Sequence, residues 1–296
     1  MLIFPVAAAL AASFGWAAGI VLAQRPAQLL GSFEFTRIQL IACSAILTVI
    51  CSGLGYWQSV AWGYWVSFVS SICFGIVLGN LAMIECLRRG GPRRTELLLS
   101  LKAPMVALMA YVWLGELPSV TDFFGASITL SGVALAVFYG SNKHSQGDVT
   151  TGSMISIVLL GIAAAVFQGF GFLIMKPAMV AGTEPLAASA IRLLGAAFLI
   201  SAVALWPAKM FRAKSELSPK LLGQTILPGF IGYGVSSSLL LYAFANFDAG
   251  IATVLGSLAP VLVLPILWLK EGLIPQPQAI LGAILAVLGT AVMVMF

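Results

Sequence analysis

Charge is what this sequence lacks most. Only 8% of its 296 residues are Asp, Glu, Lys or Arg, against roughly 25% in soluble proteins. Between Arg37 and Glu85 there is no charged residue at all. So little charge cannot cover a water-facing surface, which excludes an ordinary soluble domain. Histidine is nearly missing, and the one copy, His144, lies in a polar stretch. The four cysteines, Cys43, Cys51, Cys73 and Cys86, show no CxxC spacing. A metal centre is therefore not expected, and the cysteines read as small apolar side chains. The sequence also has no GxxxxGK[ST] phosphate loop, no nucleophile–base pair and no two carboxylates within one apolar run. No cofactor and no catalytic group is expected.

Apolar length is what is abundant. Ten apolar segments run near 4–24, 33–52, 62–86, 95–115, 121–139, 154–175, 186–206, 221–245, 250–269 and 276–295. A helix needs about 20 such residues to cross a bilayer. Lipid cannot satisfy an open backbone, and the short alternating strands of a membrane barrel are missing. The expected fold is an all-α integral membrane protein with ten transmembrane helices. "MLIFPVAAALAASFGWAAGIVLAQ" has no basic leader and no clear cleavage signal, so it reads as the first span.

The two halves repeat. "WAAGIVLAQRPA" from Trp16 aligns with "FQGFGFLIMKPA" from Phe167, which places Arg25-Pro26-Ala27 on Lys176-Pro177-Ala178. Arg37 matches Arg192 after a four-residue insertion. "KAPMVALMAYVWLGE" then matches "LAPVLVLPILWLKE", and Gly125 and Gly132 match Gly282 and Gly289. The chain divides into a first repeat over 1–139, a linker over 140–153 and a second repeat over 154–296. Five spans per repeat is an odd number, so the second repeat enters the membrane upside down. Inverted repeats of this kind are a transporter architecture.

The formal net charge of +5 does not point to nucleic acid, because basic residues flank membrane spans on the cytoplasmic side. Loops 1–2, 3–4, 5–6, 7–8 and 9–10 share one side and hold twelve of the fifteen basic residues. The other side holds Lys176 and Arg192, and Lys102 falls inside a span. "RRGGPRR" at 88–94 is then a cytoplasmic topology anchor, and both chain ends lie opposite. Glu85 sits three and four residues before Arg88 and Arg89, within pairing reach along a helix.

"APMVALMAYVWLGELPSVTDFFGASITLSGVALAV" and "APVLVLPILWLKEGLIPQPQAILGAILAVLGTAVMV" resemble the C-terminal ends of two EamA domains, the repeat unit of the drug/metabolite transporter superfamily. The shared pattern is an Ala-Pro in the fourth span, an LGE-like end, and G-x6-G in the fifth. The resemblance implies a ten-helix, multi-pass carrier of the bacterial inner membrane that works by alternating access and exports small metabolites, amino acids among them, or drugs. Two departures stand out. Lys270 replaces the LGE glycine in the second repeat, and the charge pattern puts the chain ends outside, whereas many members are thought to keep them in the cytoplasm. The alternatives are a membrane-embedded enzyme and a lipid-handling or channel protein. The expected partners are a small-molecule substrate and membrane lipids, with the chain a monomer or homodimer.

Inverted-repeat carriers bind near the midplane, where the halves meet. Polar and aromatic residues midway along spans are the candidates: Trp16 and Phe167, which are equivalent by repeat, Asn80, Gln168, Tyr233, Ser237 and Tyr242, with Gln39, Ser236 and Ser238 as further choices. For each, plain helix packing is the competing reading. Pro104, Pro260 and Pro265 are expected to kink their helices. Glu85, Glu96, Glu116 and Glu271 fall near helix ends. Lys102 lies about 10 Å into its span. Either its ammonium snorkels back to water or pairs with Glu85 or Glu96, or it faces an aqueous cavity and attracts a carboxylate or phosphate. The repeat partner of Lys102 is Leu258, so packing does not require the charge.

Overall fold

The protein is described by a computed structural model covering residues 3–117, 119–139, 153–205, 216–246, 248–271 and 276–295. The expected linker at 140–153 and the basic residues Lys209, Arg212 and Lys214 lie almost wholly outside the described residues.

Eight apolar helical segments are long enough to cross a membrane: Phe4–Leu30, Ser32–Leu54, Trp62–Pro92, Arg94–Leu114, Met154–Val180, Pro185–Ala204, Pro219–Asn246 and Ala249–Ile266. Two further helices, Val120–Tyr139 and Pro277–Met295, have 20 and 19 residues. At 1.5 Å per residue each of these also covers about 30 Å. In chain order the ten are called spans 1 to 10 below. The exterior is apolar, with Val49, Ile155 and Phe198 each more than 70% exposed. Polar groups such as Glu34, Gln39, Asn80 and Arg192 are instead buried. That inside-out distribution suits lipid and would be costly in water.

Glycine sets the tightest turns. Gly91 (φ 77°, ψ 170°) reverses the chain between spans 3 and 4, and only glycine adopts that conformation freely. Gly115 (φ 69°) ends span 4 as a left-handed C-cap. In the second repeat Lys270 occupies the matching position, and the helix runs on through Glu271. The departure from LGE therefore removes a helix stop.

The repeat seen in the sequence is also a repeat in geometry. A side chain added to Gly132 would meet the backbone of Ala286 and Gly282, and one added to Gly289 would meet Thr129 and Gly125. These are equivalent positions with the partners exchanged, as a pseudo-two-fold between spans 5 and 10 requires. Small residues on the G-x6-G faces let the two backbones approach this closely. Span 3 contains a π-helical stretch at Ser71–Leu78, and span 8 contains one at Phe230–Ser236.

Spans 4 and 9 are both interrupted halfway, at residues 100–101 and 257–258. Pro104 and Pro260 do not kink a continuous helix as expected. Each falls in the first turn of the helix that restarts after the break, where the missing proline N–H costs nothing. Pro265 alone sits inside its helix.

Candidate functional site

A cavity lies between the repeats, lined from spans 1, 2, 3, 4, 6, 7, 8 and 9. The broken middles of spans 4 and 9 supply Ser100, Lys102, Ser257 and Ala259 to its wall. Interrupted helices at membrane depth are tolerated where they are buried or line a cavity.

Lys102 reaches into this space. Its ammonium donates to the Gln168 side-chain oxygen at 3.0 Å. The Gln168 amide nitrogen in turn donates to Asn80 Oδ1 at 2.9 Å. The ammonium also lies 5.3 Å from the Trp16 ring centre and 6.0 Å from that of Phe172, within cation–π range. Trp16 and Phe172 meet edge to face at 5.9 Å. Glu96 shares the cavity wall and interacts electrostatically with Lys102. Glu85 does not pair with the lysine. It is held by Arg88 (2.6 and 2.8 Å) and Arg89 (2.5 Å), the helix pairing expected from their spacing.

Arg192 is a second cationic neighbour of Phe172, its guanidinium carbon 4.8 Å from that ring centre. It is 1% exposed. Its Nε donates to Ser71 Oγ at 2.8 Å, and a terminal nitrogen donates to Ser237 Oγ at 3.3 Å. Ser71 is fixed by donating onward to the Gly171 carbonyl at 2.5 Å.

Of the eight candidates, Trp16, Asn80, Lys102, Gln168, Tyr233 and Ser237 line the cavity. Phe167 and Tyr242 do not. Phe167 stacks with Phe74 at 6.1 Å. It is one residue from Gln168, and neighbours on a helix sit about 100° apart, which turns its ring onto Phe74. Tyr242 is 38% exposed and faces outward. Gln39, a further choice, lines the cavity and donates to the Thr225 carbonyl at 2.9 Å.

One sequence expectation needs correcting. Arg192 was assigned to the loops of the sparsely basic side, but it is the eighth residue of the Pro185–Ala204 helix and buried at the cavity. Glu96 does fall near a helix end, as expected, third in the Arg94–Leu114 span, yet it is 5% exposed on the cavity wall. Phe172 was missed altogether. It follows Gln168 by four residues, the spacing that puts two side chains on one helix face.

The lining extends along the C-terminal parts of spans 1 and 3, through Ala23 and Leu87, toward loops 1–2 and 3–4. On the opposite side, polar contacts join the two repeats. Glu116 at the end of span 4 pairs with Lys176 of span 6 and accepts from the Ala249 N–H at the start of span 9, at 2.8 Å. The Ala61 N–H donates to Thr183 Oγ1, and the Glu184 N–H to Ser59 Oγ, each at 3.0 Å.

A helical bundle of two repeats around a charged, membrane-buried cavity defines a multi-pass membrane protein of the transporter type. The chain belongs to the EamA-like transporter family, whose pattern matches residues 3–138 and again 155–295. No curated protein sequence matches it. A solved crystal structure of an unspecified protein shares the fold, with a TM-score of 0.76 at 17% identity, over 97% of this chain and 95% of that one.

Proposed function

We propose that this chain is a secondary transporter that moves a small organic solute, the size of an amino acid, out across the bacterial inner membrane by alternating access. The observation that carries the reading is the cavity itself. Buried charge in a membrane span is costly and marks a solute or ion pathway, and here both repeats contribute charged groups to one space. The geometry corresponds to a state whose cavity extends toward loops 1–2 and 3–4 while the other side is latched.

The test is a counterflow screen with purified protein in proteoliposomes. A carrier gives saturable flux, and preloaded unlabelled solute accelerates entry of the labelled one. Conductance without saturation points to a channel, and covalent change of the solute points to an enzyme. Either result overturns the proposal.

A further inference from the structure

Arg192 is a buried guanidinium whose hydrogen bonds, among the described residues, go to neutral hydroxyls only. Those acceptors are Ser71 and Ser237, and no carboxylate among the described residues forms an ion pair with it. A guanidinium stays protonated in proteins, and its five N–H donors exceed what two hydroxyls satisfy. Charged side chains buried in a membrane are ordinarily paired. An isolated positive charge beside a cavity is a site awaiting an anion.

Charge balance sharpens this. The charged groups facing the cavity are Glu96, Lys102 and Arg192. Glu96 and Lys102 interact and are of opposite sign. Their sum is zero whether both are charged or the proton has passed from lysine to carboxylate. In either case the cavity keeps a net positive charge from Arg192, and a neutral Glu96 beside a charged Lys102 adds to it.

We infer, building on the carrier reading above, that the solute is carried as an anion whose oxyanion group, a carboxylate or phosphate ester, sits against Arg192 and Lys102. The two cations share Phe172 as a neighbour, within 4.8 and 6.0 Å of its ring centre. The aromatic floor of Trp16 and Phe172 takes the apolar body of the solute. Two further donors are available. Asn80 Nδ2 and the Tyr233 hydroxyl are buried with no hydrogen-bond partner among the described residues, and both residues line the cavity. An oxyanion, rich in acceptors, satisfies such donors, whereas an ammonium does not. A net-neutral zwitterion would leave the Arg192 charge uncompensated, and a cation would double it.

The test is a counterflow panel on the full-length protein in proteoliposomes. Aliphatic and aromatic scaffolds are each offered as carboxylate, phosphate monoester, zwitterionic amino acid, primary amine and neutral alcohol. At least one oxyanion form should be carried about 30-fold more efficiently than its zwitterionic, cationic and neutral counterparts, the size of a lost charged hydrogen bond. The carboxylate and phosphate arms tell which oxyanion is read. Arg192→Gln should lower the efficiency for that anion by about 30-fold, and Arg192→Lys should restore part of it. The panel itself needs no variant, so the preference is readable even if Arg192→Gln does not assemble. Flux of zwitterions, amines or alcohols equal to that of the anions overturns this inference and leaves the carrier reading standing, as does unchanged anion transport in folded Arg192→Gln. Flux of no compound at all overturns the carrier reading and this inference with it.

Discussion

The Lys102 ammonium and the Gln168 side-chain oxygen, 3.0 Å apart, join the first repeat to the second. The hydrogen bond crosses the interface that must rearrange if the two repeats exchange access. It also turns the lysine toward the cavity, whose wall Glu96 shares.

Replacing Lys102 by Met keeps the length and removes the charge. We predict that Lys102→Met inserts normally and melts within a few degrees of the parent. Its apparent KM for an anionic solute should rise by about 10- to 100-fold, the value of a hydrogen bond to a charged group. Counterflow titration checks this, and an unchanged KM for every carried solute ends the assignment.

Trp16 and Phe167 are equivalent by repeat but separated by the structure. Trp16→Ala removes a cavity wall and should reduce transport at least tenfold while sparing stability. Phe167→Ala removes a partner of Phe74 and should instead cost roughly 1–3 kcal/mol of stability with KM unchanged. Parallel thermal melts and uptake assays separate the two, and equal loss of transport in both would return Phe167 to the pathway.

The exchanged contacts of Gly132 and Gly289 leave no room for a side chain. Gly132→Leu should push spans 5 and 10 apart and destabilise the protein by about 1–3 kcal/mol, read as a lower melting temperature in detergent. Gly53→Ala is the control, because no atom lies within 4 Å of the added Cβ. A Gly132→Leu protein that melts with the parent would show that the contact is not needed.

Glu116 latches one side of the cavity through Lys176 and Ala249. By repeat, Glu271 and Arg25 hold the matching positions at the other side, where Arg25 is exposed. Alternating access predicts that Glu116→Gln and Glu271→Gln shift accessibility in opposite directions. The readout is labelling of Ser257→Cys by an impermeant thiol reagent, in a background with the native cysteines replaced. Glu116→Gln should raise labelling from the latched side, and Glu271→Gln should lower it. Parallel shifts would contradict a symmetric pair of gates.

The basic residues predict cytoplasmic 88–94 and 209–220 segments with chain ends outside. Reporters active only outside should score at Phe296 and stay silent within 209–220. The reverse pattern inverts the topology.

The fold was legible because its cause is crude: long runs without charge admit little but membrane helices, and two halves sharing Ala-Pro and G-x6-G marks in the same order must share a backbone. The cavity was legible where a polar residue interrupts an apolar run, as at Asn80, Lys102 and Gln168. Arg192 interrupts its run in the same way, but its depth was misjudged, and its match to Arg37 suggested a flank. In fact Arg37 pairs with Glu34 at 2.7 Å, while Arg192, among the described residues, bonds to hydroxyls and lies over the Phe172 ring. Glu96 was hidden because three-dimensional turn geometry at Gly91 and Pro92 decides whether a residue soon after a turn meets water. Tyr242 misled because five residues separate it from Ser237, an offset that carries a side chain off the shared helix face.

The π-helical stretch of span 3 changes the phase of the helix. Ser71 and Asn80 are nine residues apart, and at about 100° per residue an unbroken α-helix would aim them in opposite directions. Yet both bond to span 6, Ser71 at Gly171 and Asn80 at Gln168. The wider i→i+5 turns between them absorb the missing half-rotation. Span 3 is thus a counted element. Its outward-facing side chains can be exchanged for others of similar polarity, but a single codon lost or gained within 71–78 would turn either the Arg192 support or the Gln168 partner away from the centre. Along this stretch the number of residues is under tighter constraint than their identity.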